Sequence, residues 1–264
     1  MPRPLIALLT DFGTRDHYAG TMKGVMLGIC PDATLVDISH DVPAHDVLAG
    51  ALELAAAYKY FPAGTVFLVV VDPGVGSARR GIATEAGEYL FVAPDNGVLT
   101  TIVDEHHPKR IVELTERRYA RPTVSRTFEG RDRFAPAAAW LAKGIDLAAL
   151  GRSAGDIRRL DLPRPVVSTG RMAGEVVRID RFGNLITNID RRGFDTLAAG
   201  GTVDIVIGPH PIAKLVATYA DVVPGELCAL FGSTDHLEIA ANGGSAADAL
   251  GLGRGAPVQV VRRA

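Results

Sequence analysis

Residues 69–76 read Val-Val-Val-Asp-Pro-Gly-Val-Gly, and this segment decides the fold. Its run of β-branched residues predicts a strand that is buried on both faces, as strands of parallel sheets are. The proline and glycines that follow end the strand, so Asp72 stands at the carboxyl edge of the predicted sheet, where open α/β folds bind ligands. Arg79 and Arg80 follow within one loop. The segment therefore predicts a carboxylate beside a guanidinium at a strand end.

The apolar runs around this segment alternate between strand and helix patterns. Predicted strands cover residues 5–10, 34–38, 66–71 and 89–93, and predicted helices cover residues 17–29, 46–60 and 134–141. Such alternation is typical of a parallel α/β sheet. Acids follow the ends of four strands, at Asp11, Asp41, Asp72 and Asp95. We expect these carboxylates to converge on one cleft at the sheet edge.

The pattern changes after about residue 160, where residues 160–165 have the composition of a linker. Short apolar runs separated by tight turns follow, at residues 174–180, 184–189, 202–207, 213–216, 227–231, 237–240 and 258–262. That spacing predicts a small β barrel or sandwich. We expect an α/β N-terminal domain over residues 1–160, with a mainly parallel sheet flanked by helices. A smaller all-β, barrel-like C-terminal domain should cover residues 168–264.

Composition and charge exclude several classes of function. The chain has 264 residues, of which 47% are hydrophobic and 22% charged, and its net charge of −2 gives no sign of a nucleic-acid or anionic-membrane partner. The first residues lack the apolar region of a signal peptide, and no apolar stretch is long enough to span a bilayer. Cys30 and Cys228 lie far apart in apolar surroundings, which predicts reduced core thiols. We therefore expect a cytoplasmic protein.

Common catalytic and metal-binding motifs are missing from the sequence. His106 and His107 are adjacent and would diverge on a regular element, and the other histidines form no metal-ligand spacing, so we expect no metal. The chain has no phosphate-binding loop, nucleophile elbow or dinucleotide fingerprint. Asp11-Phe12-Gly13 also occurs in kinases, but no glycine-rich loop precedes it, which excludes that interpretation.

The strand-end acids have structural as well as functional interpretations. Asp11 could bind a pair of ligand hydroxyls or a metal, or it could form an Asx-turn that caps the next helix. Asp72 with Arg79 could polarise water or orient a substrate, or the two could be an ion pair that stabilises the loop. Both interpretations stay open on spacing alone.

Two other turns carry candidate site residues with the same ambiguity. Glu129 precedes Gly130, whose missing side chain would let a ligand approach, although the turn also fits a charged helix start. Asp180, Phe182 and Asn184 link two β-runs, where the amide suits the edge of an adenine and the ring could stack on it. A bulged hairpin turn would explain the same residues.

Seven strings, taken in order, carry a resemblance that covers nearly the whole chain. They are Leu9-Thr10-Asp11-Phe12-Gly13, Asp16-x-Tyr18-x-Gly20-x-x-Lys23-Gly24, Val71-Asp72-Pro73-Gly74-Val75-Gly76, Ala93-Pro94-Asp95-Asn96-Gly97, Thr127-Phe128-x-Gly130-Arg131-Asp132, Asp180-x-Phe182-Gly183-Asn184-Leu185 and Leu237-Glu238-Ile239-Ala240. Together they resemble the S-adenosyl-L-methionine (SAM) hydroxide adenosyltransferases, the water-using relatives of fluorinases and chlorinases.

The resemblance implies an activity and an assembly. It implies cleavage of SAM by water to adenosine and L-methionine, with SAM as the substrate and with neither a cofactor nor a metal. It also implies a homotrimer whose sites lie between the N-terminal domain of one subunit and the C-terminal domain of its neighbour.

The resemblance also implies roles for single residues in binding SAM. Asp11 would hold the ribose hydroxyls, Asp180 the methionine ammonium, and Ser233 would help to hold the amino-acid end. Asn184 would bind the adenine edge, with Phe182 and Tyr219 packed near the base. Gly130 would lie beside the reacting centre.

Asp72 and Arg79 match two members of the family's water-handling triad, but the third position departs from the pattern. The family has histidine where this chain has Glu129. A second carboxylate near Asp72 is compatible with the site if Arg79 lies between the two. We predict a SAM hydrolase that uses Asp72, Arg79 and Glu129.

Two alternatives remain at this stage. One is a SAM-dependent chlorinase or another halide adenosyltransferase, since Gly130 leaves room for an anion, although Asp72 and Glu129 oppose it. The other is a protein that binds SAM or adenosine without catalysis, because the histidine of the triad is missing.

Overall fold

The structure is a computed structural model that describes residues 3–263. The chain divides into two compact units, unit 1 over Met1–Asp161 and unit 2 over Leu162–Ala264. The predicted domain ranges 1–160 and 168–264 include residues 1, 2 and 264, which lie outside the described residues. Within residues 3–263, no helix has both the length and the apolar character needed to cross a membrane.

One sheet forms the centre of unit 1. Its seven strands in the described part of the chain are β1 (Leu5–Thr10), β2 (Thr34–Ser39), β3 (Val66–Val70), β4 (Gly81–Ala86), β5 (Tyr89–Pro94), β6 (Arg110–Leu114) and β7 (Gly151–Ser153). They are arranged in the order β2-β1-β3-β5-β4-β6-β7.

Helices and short turns connect these strands. The α-helices are α1 (Tyr18–Ile29), α2 (Val47–Ala57), α3 (Thr100–Glu105) and α4 (Ala135–Ala142). Short 3₁₀ turns lie at Tyr58–Tyr60, Arg117–Tyr119 and Leu147–Leu150, and a π-helical turn at Gly130–Phe134 leads directly into α4. Asp46 caps α2 by accepting from the backbone N–H of Ala49 at 2.9 Å.

Strand β3 and Val71, which lead into the Asp72 loop, are buried on both faces. Val70 packs with Met22 of α1 in one apolar cluster. Val69 and Val71 pack in the cluster on the opposite face, together with Leu54 of α2. All three valines are at most 2% exposed. Burial on both faces explains why only apolar, β-branched residues occur in this run.

The prediction of a mainly parallel sheet needs correction, because the sheet is mixed. Strands β2, β1, β3 and β5 are parallel, whereas β4, β6 and β7 run antiparallel to their neighbours. The tight turn at Gly87, with φ of +59°, pairs Ala86 with Tyr89 and so sets β4 antiparallel to β5. Strand β4 reads Gly-Ile-Ala-Thr-Glu-Ala and has no β-branched run, so the sequence pattern missed it.

An antiparallel, nearly closed sheet forms the centre of unit 2. Its described strands are β8 (Val166–Ser168), β9 (Arg171–Ile179), β10 (Leu185–Asp190), β11 (Val203–Ile207), β12 (His210–Ile212), β13 (Leu227–Phe231), β14 (His236–Ala241) and β15 (Pro257–Arg262). The order is β12-β11-β15-β9-β10-β14-β13, with β8 paired to β9. After β12 the chain returns to β13, where the N–H of Val216 donates to the carbonyl of Ala229 at 2.9 Å. This contact brings the two ends of the sheet together in a barrel-like arrangement.

Two details of the predicted second domain are wrong. It is not all-β, because α5 (Arg191–Ala198), α6 (Ala246–Leu250) and a 3₁₀ turn at Tyr219–Asp221 accompany the strands. The predicted strand at residues 213–216 is reduced to an isolated bridge between Leu215 and Ala229, and the strand lies earlier, in β12. The Gly208 turn pairs Ile207 directly with His210, so the partner strand begins at once and ends before the predicted run.

Candidate active site

Asp72 and Arg79 form a buried pair in the loop between β3 and β4. Arg79 Nε donates to Asp72 Oδ1 at 2.9 Å, and Arg79 Nη2 donates to Asp72 Oδ2. The two side chains are only 5% and 4% exposed. A two-point contact of this kind fixes both the position and the plane of the carboxylate.

Glu129 joins this pair from a distant part of the sequence. Its Oε2 accepts from the same Arg79 Nη2, so Arg79 lies between the two carboxylates. The guanidinium also stacks on the ring of Phe134, 5.0 Å from its centroid. Arg79 Nη1 is buried and has no hydrogen-bond partner among residues 3–263. We call Asp72, Arg79 and Glu129 the acid cluster.

Arg133 is a fourth member of this network, and the sequence analysis missed it. Its Nη1 donates to Glu129 Oε1 at 3.0 Å, and its Nη2 donates to the carbonyl of Leu114 at 2.6 Å. The spacing of four residues between Glu129 and Arg133 on a helical turn was the available signal, because side chains at that spacing are neighbours.

Close backbone contacts hold the Asp72 loop against the Glu129 segment. Gly76 has φ of +76°, and a Cβ atom at that position would lie 2.4 Å from the carbonyl oxygen of Arg126. Only glycine tolerates both the conformation and the approach. Gly130 is buried, and a Cβ atom there would lie 3.2 Å from the sulfur of Met22 and 3.4 Å from the ring of Phe128. In unit 1, therefore, its missing side chain allows the π-helical turn to pack onto α1.

Asp132 anchors the same segment from inside. It is fully buried and accepts from Arg131 Nε at 2.6 Å and from the backbone N–H of Ser125 at 2.8 Å. Burial alone would raise the pKa of Asp132, but the hydrogen bonds from Arg131 and Ser125 and the charge of Arg121 outweigh it and lower the pKa. Asp132 is thus a structural carboxylate.

Only some of the four strand-end acids are available for a site. Asp95 is buried, accepts from Arg80 Nε at 2.8 Å and from the backbone N–H of Arg158 at 2.7 Å. Its neighbour Asn96 donates to the carbonyl of Val71 at 2.8 Å. Both residues therefore brace the loop that carries Asp72. Asp41 is exposed.

Asp11 leaves the sheet at the same edge as Asp72. Thr10 at the end of β1 is in parallel register with Val70 of β3, so the two acids follow neighbouring strands. Asp11 Oδ2 accepts from the backbone N–H of His45 at 2.8 Å. This contact orients the carboxylate and leaves Oδ1 for a further donor.

Three aromatic rings connect the loop after β1 with the Glu129 segment. The Phe12 and Phe128 rings meet edge to face at 5.9 Å, and the Tyr18 ring lies 5.6 Å from Phe12 and 5.0 Å from Phe128. Because Phe12 follows Asp11 and Phe128 precedes Glu129, the ring cluster couples the positions of these two acids.

Unit 2 contains a cleft of about 870 Å³ that all five candidate residues of this unit line. They are Asp180, Phe182, Asn184, Tyr219 and Ser233. The volume lies in the range of small-molecule sites. Phe182 is 76% exposed, so a large apolar ring is available for contact with a ligand.

Asp180 organises one wall of this cleft. Its Oδ1 accepts from the backbone N–H groups of Phe182 and Asn184, each at 2.9 Å. Its Oδ2 accepts from the Nδ2 amide of Asn184, also at 2.9 Å. Asn184 is buried and keeps its Oδ1 and one Nδ2 hydrogen for a ligand. The structural interpretation of this turn is therefore compatible with the functional one.

Glu238 also lines the cleft. It belongs to one of the seven family strings, but it was not predicted to be a site residue. Its Oε1 accepts from the hydroxyl of Tyr219 at 2.6 Å. A Cβ atom on Gly232 would lie 2.3 Å from its Oε2, so this glycine makes room for the carboxylate. Burial raises the pKa of Glu238, against the opposing effect of the Tyr219 hydrogen bond. An acid inside the apolar run of β14 was the available signal.

Within residues 3–263, no group of three or more His, Cys, Asp or Glu side chains is arranged to hold a metal ion. Cys30 and Cys228 are both buried and free.

Comparison with known protein families gives two consecutive matches. The SAM hydroxide adenosyltransferase N-terminal domain matches residues 6–151, and the SAM hydroxide adenosyltransferase C-terminal domain matches residues 174–259.

Similar proteins carry two kinds of name. An (R)-S-adenosyl-L-methionine hydrolase of Salinispora tropica is 40% identical, over 98% of each chain. One of Thermus thermophilus is 38% identical, over 97% of this chain and 99% of the relative. A fluorinase of an Actinoplanes species is 31% identical, over 98% of each chain.

Solved structures show the same fold. A crystal structure of a conserved protein from Thermotoga maritima, described as uncharacterized, has a TM-score of 0.92 at 37% identity and covers 97% of this chain and all of the other. A conserved hypothetical protein from Thermus thermophilus has a TM-score of 0.79 at 36% identity, over 98% of this chain and all of the other. Because both domains match in order and the relatives align along almost their whole length, this chain belongs to the SAM hydroxide adenosyltransferase family.

Proposed function

We propose that this protein hydrolyses SAM to adenosine and L-methionine by attack of water on the ribose C5′ atom. The observation that carries the proposal is the acid cluster, in which one buried arginine bridges two carboxylates at a strand end. The similarity to hydrolases that act on the same compound supports it along the full length of the chain.

The proposed reaction is a substitution at carbon. A bond forms between the water oxygen and C5′ while the bond from C5′ to sulfur breaks. The electron pair of the broken bond stays on sulfur, so the sulfonium becomes the neutral thioether of methionine. The water gives up one proton in forming adenosine. The leaving group needs no acid, so catalysis depends on holding and activating the water.

The acid cluster has the groups that this task requires. Asp72 and Glu129 supply acceptors for the water protons, and a carboxylate within hydrogen-bond reach can act as a base. Arg79 fixes both carboxylates and retains the buried Nη1 donor that would bind the water oxygen. A purely structural ion pair would explain the contact between Asp72 and Arg79. It would not explain why Glu129 also contacts Arg79 or why the buried Nη1 donor has no partner among the described residues.

The cleft of unit 2 has the groups that the substrate requires. We propose that Asp180 binds the methionine ammonium and that Ser233 contacts the amino-acid end. Asn184 would bind the adenine edge, with Phe182 and Tyr219 packed against the base. Asp11 of unit 1 would accept hydrogen bonds from the ribose hydroxyls through Oδ1. Gly130 would border the reacting centre.

Assembly and location are part of the same proposal. We propose a homotrimer in which the acid cluster of one subunit meets the cleft of the next, since each supplies only part of what SAM cleavage needs. The reaction would use no cofactor and no metal, because the sulfonium is already activated. A cytoplasmic location is supported by the two free, buried cysteines, which are usual in reducing compartments.

The test is to incubate the purified protein with SAM and to follow the products by liquid chromatography. We expect adenosine and L-methionine in equal amounts, and we expect the Asp72→Asn variant to lose at least about 100-fold in kcat because an amide cannot take up the water proton. Chloride added to the assay should give no 5′-chloro-5′-deoxyadenosine.

Two outcomes would contradict the proposal. One is a folded protein that forms no adenosine between about pH 6 and pH 9. The other is a chloride-dependent product, which would identify a halide adenosyltransferase. In the first case, calorimetric binding of SAM without turnover would identify a binding protein.

A further inference from the structure

We propose that Arg133 is a positioning residue for the reaction: it holds the Glu129 carboxylate in the orientation in which Glu129 handles the attacking water. This inference rests on the proposed function, which needs Glu129 but assigns nothing to Arg133.

The two oxygens of Glu129 are held by different arginines. Arg79 Nη2 donates to Oε2, and Arg133 Nη1 donates to Oε1 at 3.0 Å. A glutamate side chain has three rotatable bonds, so one contact would leave its carboxylate free to rotate. Two donors on opposite oxygens fix both the position and the plane of the carboxylate.

Arg133 is itself anchored at a second point. Its Nη2 donates to the backbone carbonyl of Leu114, the last residue of β6, at 2.6 Å. The guanidinium is planar and rigid, so a contact with the sheet at one nitrogen orients the nitrogen that reaches Glu129. The Glu129 carboxylate is thus held in place by the sheet as well as by its own loop. A misplacement of about 1 Å at a reacting group can cost 100-fold in rate, which makes such an anchor effective.

The charges along the network alternate. Asp72, Arg79, Glu129 and Arg133 contact one another in that order, so the four charges cancel. Asp72 and Glu129 already share Nη2 of Arg79, so without Arg133 the single charge of Arg79 would have to offset both carboxylates. Glu129 is only 12% exposed, and water would replace the lost donor poorly. We therefore expect Glu129 to move away from its place beside Asp72 when Arg133 is removed.

The experiment measures SAM hydrolysis by Arg133→Met in two backgrounds. In the wild-type background we expect kcat to fall about tenfold or more, with KM changed less than about twofold, because positioning acts on the chemical step. In the Glu129→Gln background the carboxylate is already gone, so the same substitution should change kcat by less than about twofold. Equal losses in both backgrounds would overturn the inference, because they would mean that Arg133 acts through the fold.

Two other variants serve as controls. Arg133→Lys keeps a charge that can reach Glu129, and we expect it to recover part of the lost kcat. Arg152→Met removes an exposed arginine of β7 that contacts Glu113, and it should leave kcat unchanged. A lysine variant as slow as Arg133→Met would also count against the inference, because it would show that the contact with Glu129 is not what matters.

A second readout does not depend on activity. In thermal unfolding without SAM, Arg133→Met should lower the melting temperature less in the Glu129→Gln background than in the wild type. If the wild type fails to hydrolyse SAM, the proposed function fails, whereas this coupling still decides whether Arg133 holds Glu129. Absence of the coupling would overturn the inference on its own.

Discussion

At the scale of single residues, the half-buried Glu129 and the buried Glu238 have opposite surroundings. Glu129 is held between two arginines, which compensate its charge. Glu238 accepts from the neutral hydroxyl of Tyr219, and Asp180 adds a second negative charge near it. Burial therefore dominates for Glu238 and raises its pKa above the ordinary value of 4.5. The ionised form of Glu238 is costly to the folded protein, and this cost depends on pH.

We expect the stability of the wild type relative to Glu238→Gln to fall as the pH rises. Because the folded pKa is raised, the folded state binds more protons than the unfolded state between pH 4.5 and that pKa. The contribution of Glu238 is complete below pH 4.5 and is lost as the pH rises through the folded pKa. Glutamine does not titrate, so urea unfolding of both proteins across this window measures the difference.

Tyr219→Phe is the matched variant for this measurement. It removes the hydrogen bond that favours ionised Glu238, so its stability should fall more steeply with pH than that of the wild type. Parallel stability curves for the wild type and Glu238→Gln would show that the carboxylate is effectively solvated.

The sequence predicted Asp72 and missed Glu238 and Arg133 for definable reasons. Asp72 follows strand β3, whose apolar, β-branched run predicts a strand from its own residues. The role of Glu238 depends on Tyr219, which is 19 positions away in sequence and reaches it only through the barrel. The spacing of Arg133 from Glu129 was a signal, but Arg133 is anchored by the carbonyl of Leu114, and a backbone group carries no sequence signal.

At the scale of elements, the site depends on how closely β4 approaches the π-helical turn. A Cβ atom on Gly81, the first residue of β4, would lie 2.5 Å from Cε1 of Phe134. Arg79 stacks on the same ring. The packing of strand against turn therefore also sets where the guanidinium lies.

We expect Gly81→Ala to be destabilising and to reduce activity. The ring of Phe134 is fully buried and cannot move aside, so the added methyl group should cost about 1–3 kcal/mol. Urea unfolding measures the stability, and the SAM assay measures the accompanying loss of kcat. Gly28→Ala in α1 is the control, because a Cβ atom there meets nothing within 4 Å and alanine favours the helix. Equal stability of Gly81→Ala and the wild type would contradict this account.

Strands that are buried on both faces were predictable, and the antiparallel half of the first sheet was not. Strands β1 and β3 have continuous apolar runs that the chain needs on both faces. Strand β4 begins with Gly81, which packs closely against Phe134, and strand β7 is three residues long. Such strands are stabilised by pairing with the strands beside them, and no local sequence pattern indicates them.

At the scale of the whole molecule, the proposed trimer makes a prediction about mixed assemblies. In a ring of three identical subunits each interface is heterologous, so every shared site combines different halves of two chains. Asp72→Asn damages one half of such a site, and Asp180→Asn damages the other.

Co-expression of these two variants should restore activity that neither has alone. With equal, random mixing, about one quarter of all shared sites combine an intact Asp72 with an intact Asp180, and in trimers that contain both variants the fraction is about one third. Doubly tagged assemblies, purified on both tags, would be assayed for adenosine formation. Assemblies that contain a single variant expressed with both tags give the baseline activity. Activity no higher than the sum of the two parents would indicate that a site is built within one subunit.

The brace formed by Asp95 and Asn96 bears on how relatives of this protein are recognised. Both residues belong to one of the seven strings that signal the family, yet their contacts are with Arg80, the backbone of Arg158 and the carbonyl of Val71. These contacts preserve the shape of the loop between β3 and β4, whether or not that loop carries a catalytic residue. A sequence that keeps Asp95 and Asn96 but has lost Asp72 would still be detected as a family member and would lack the proposed chemistry. Screening genomes for active enzymes should therefore weight the acid cluster above the strings that shape the loops.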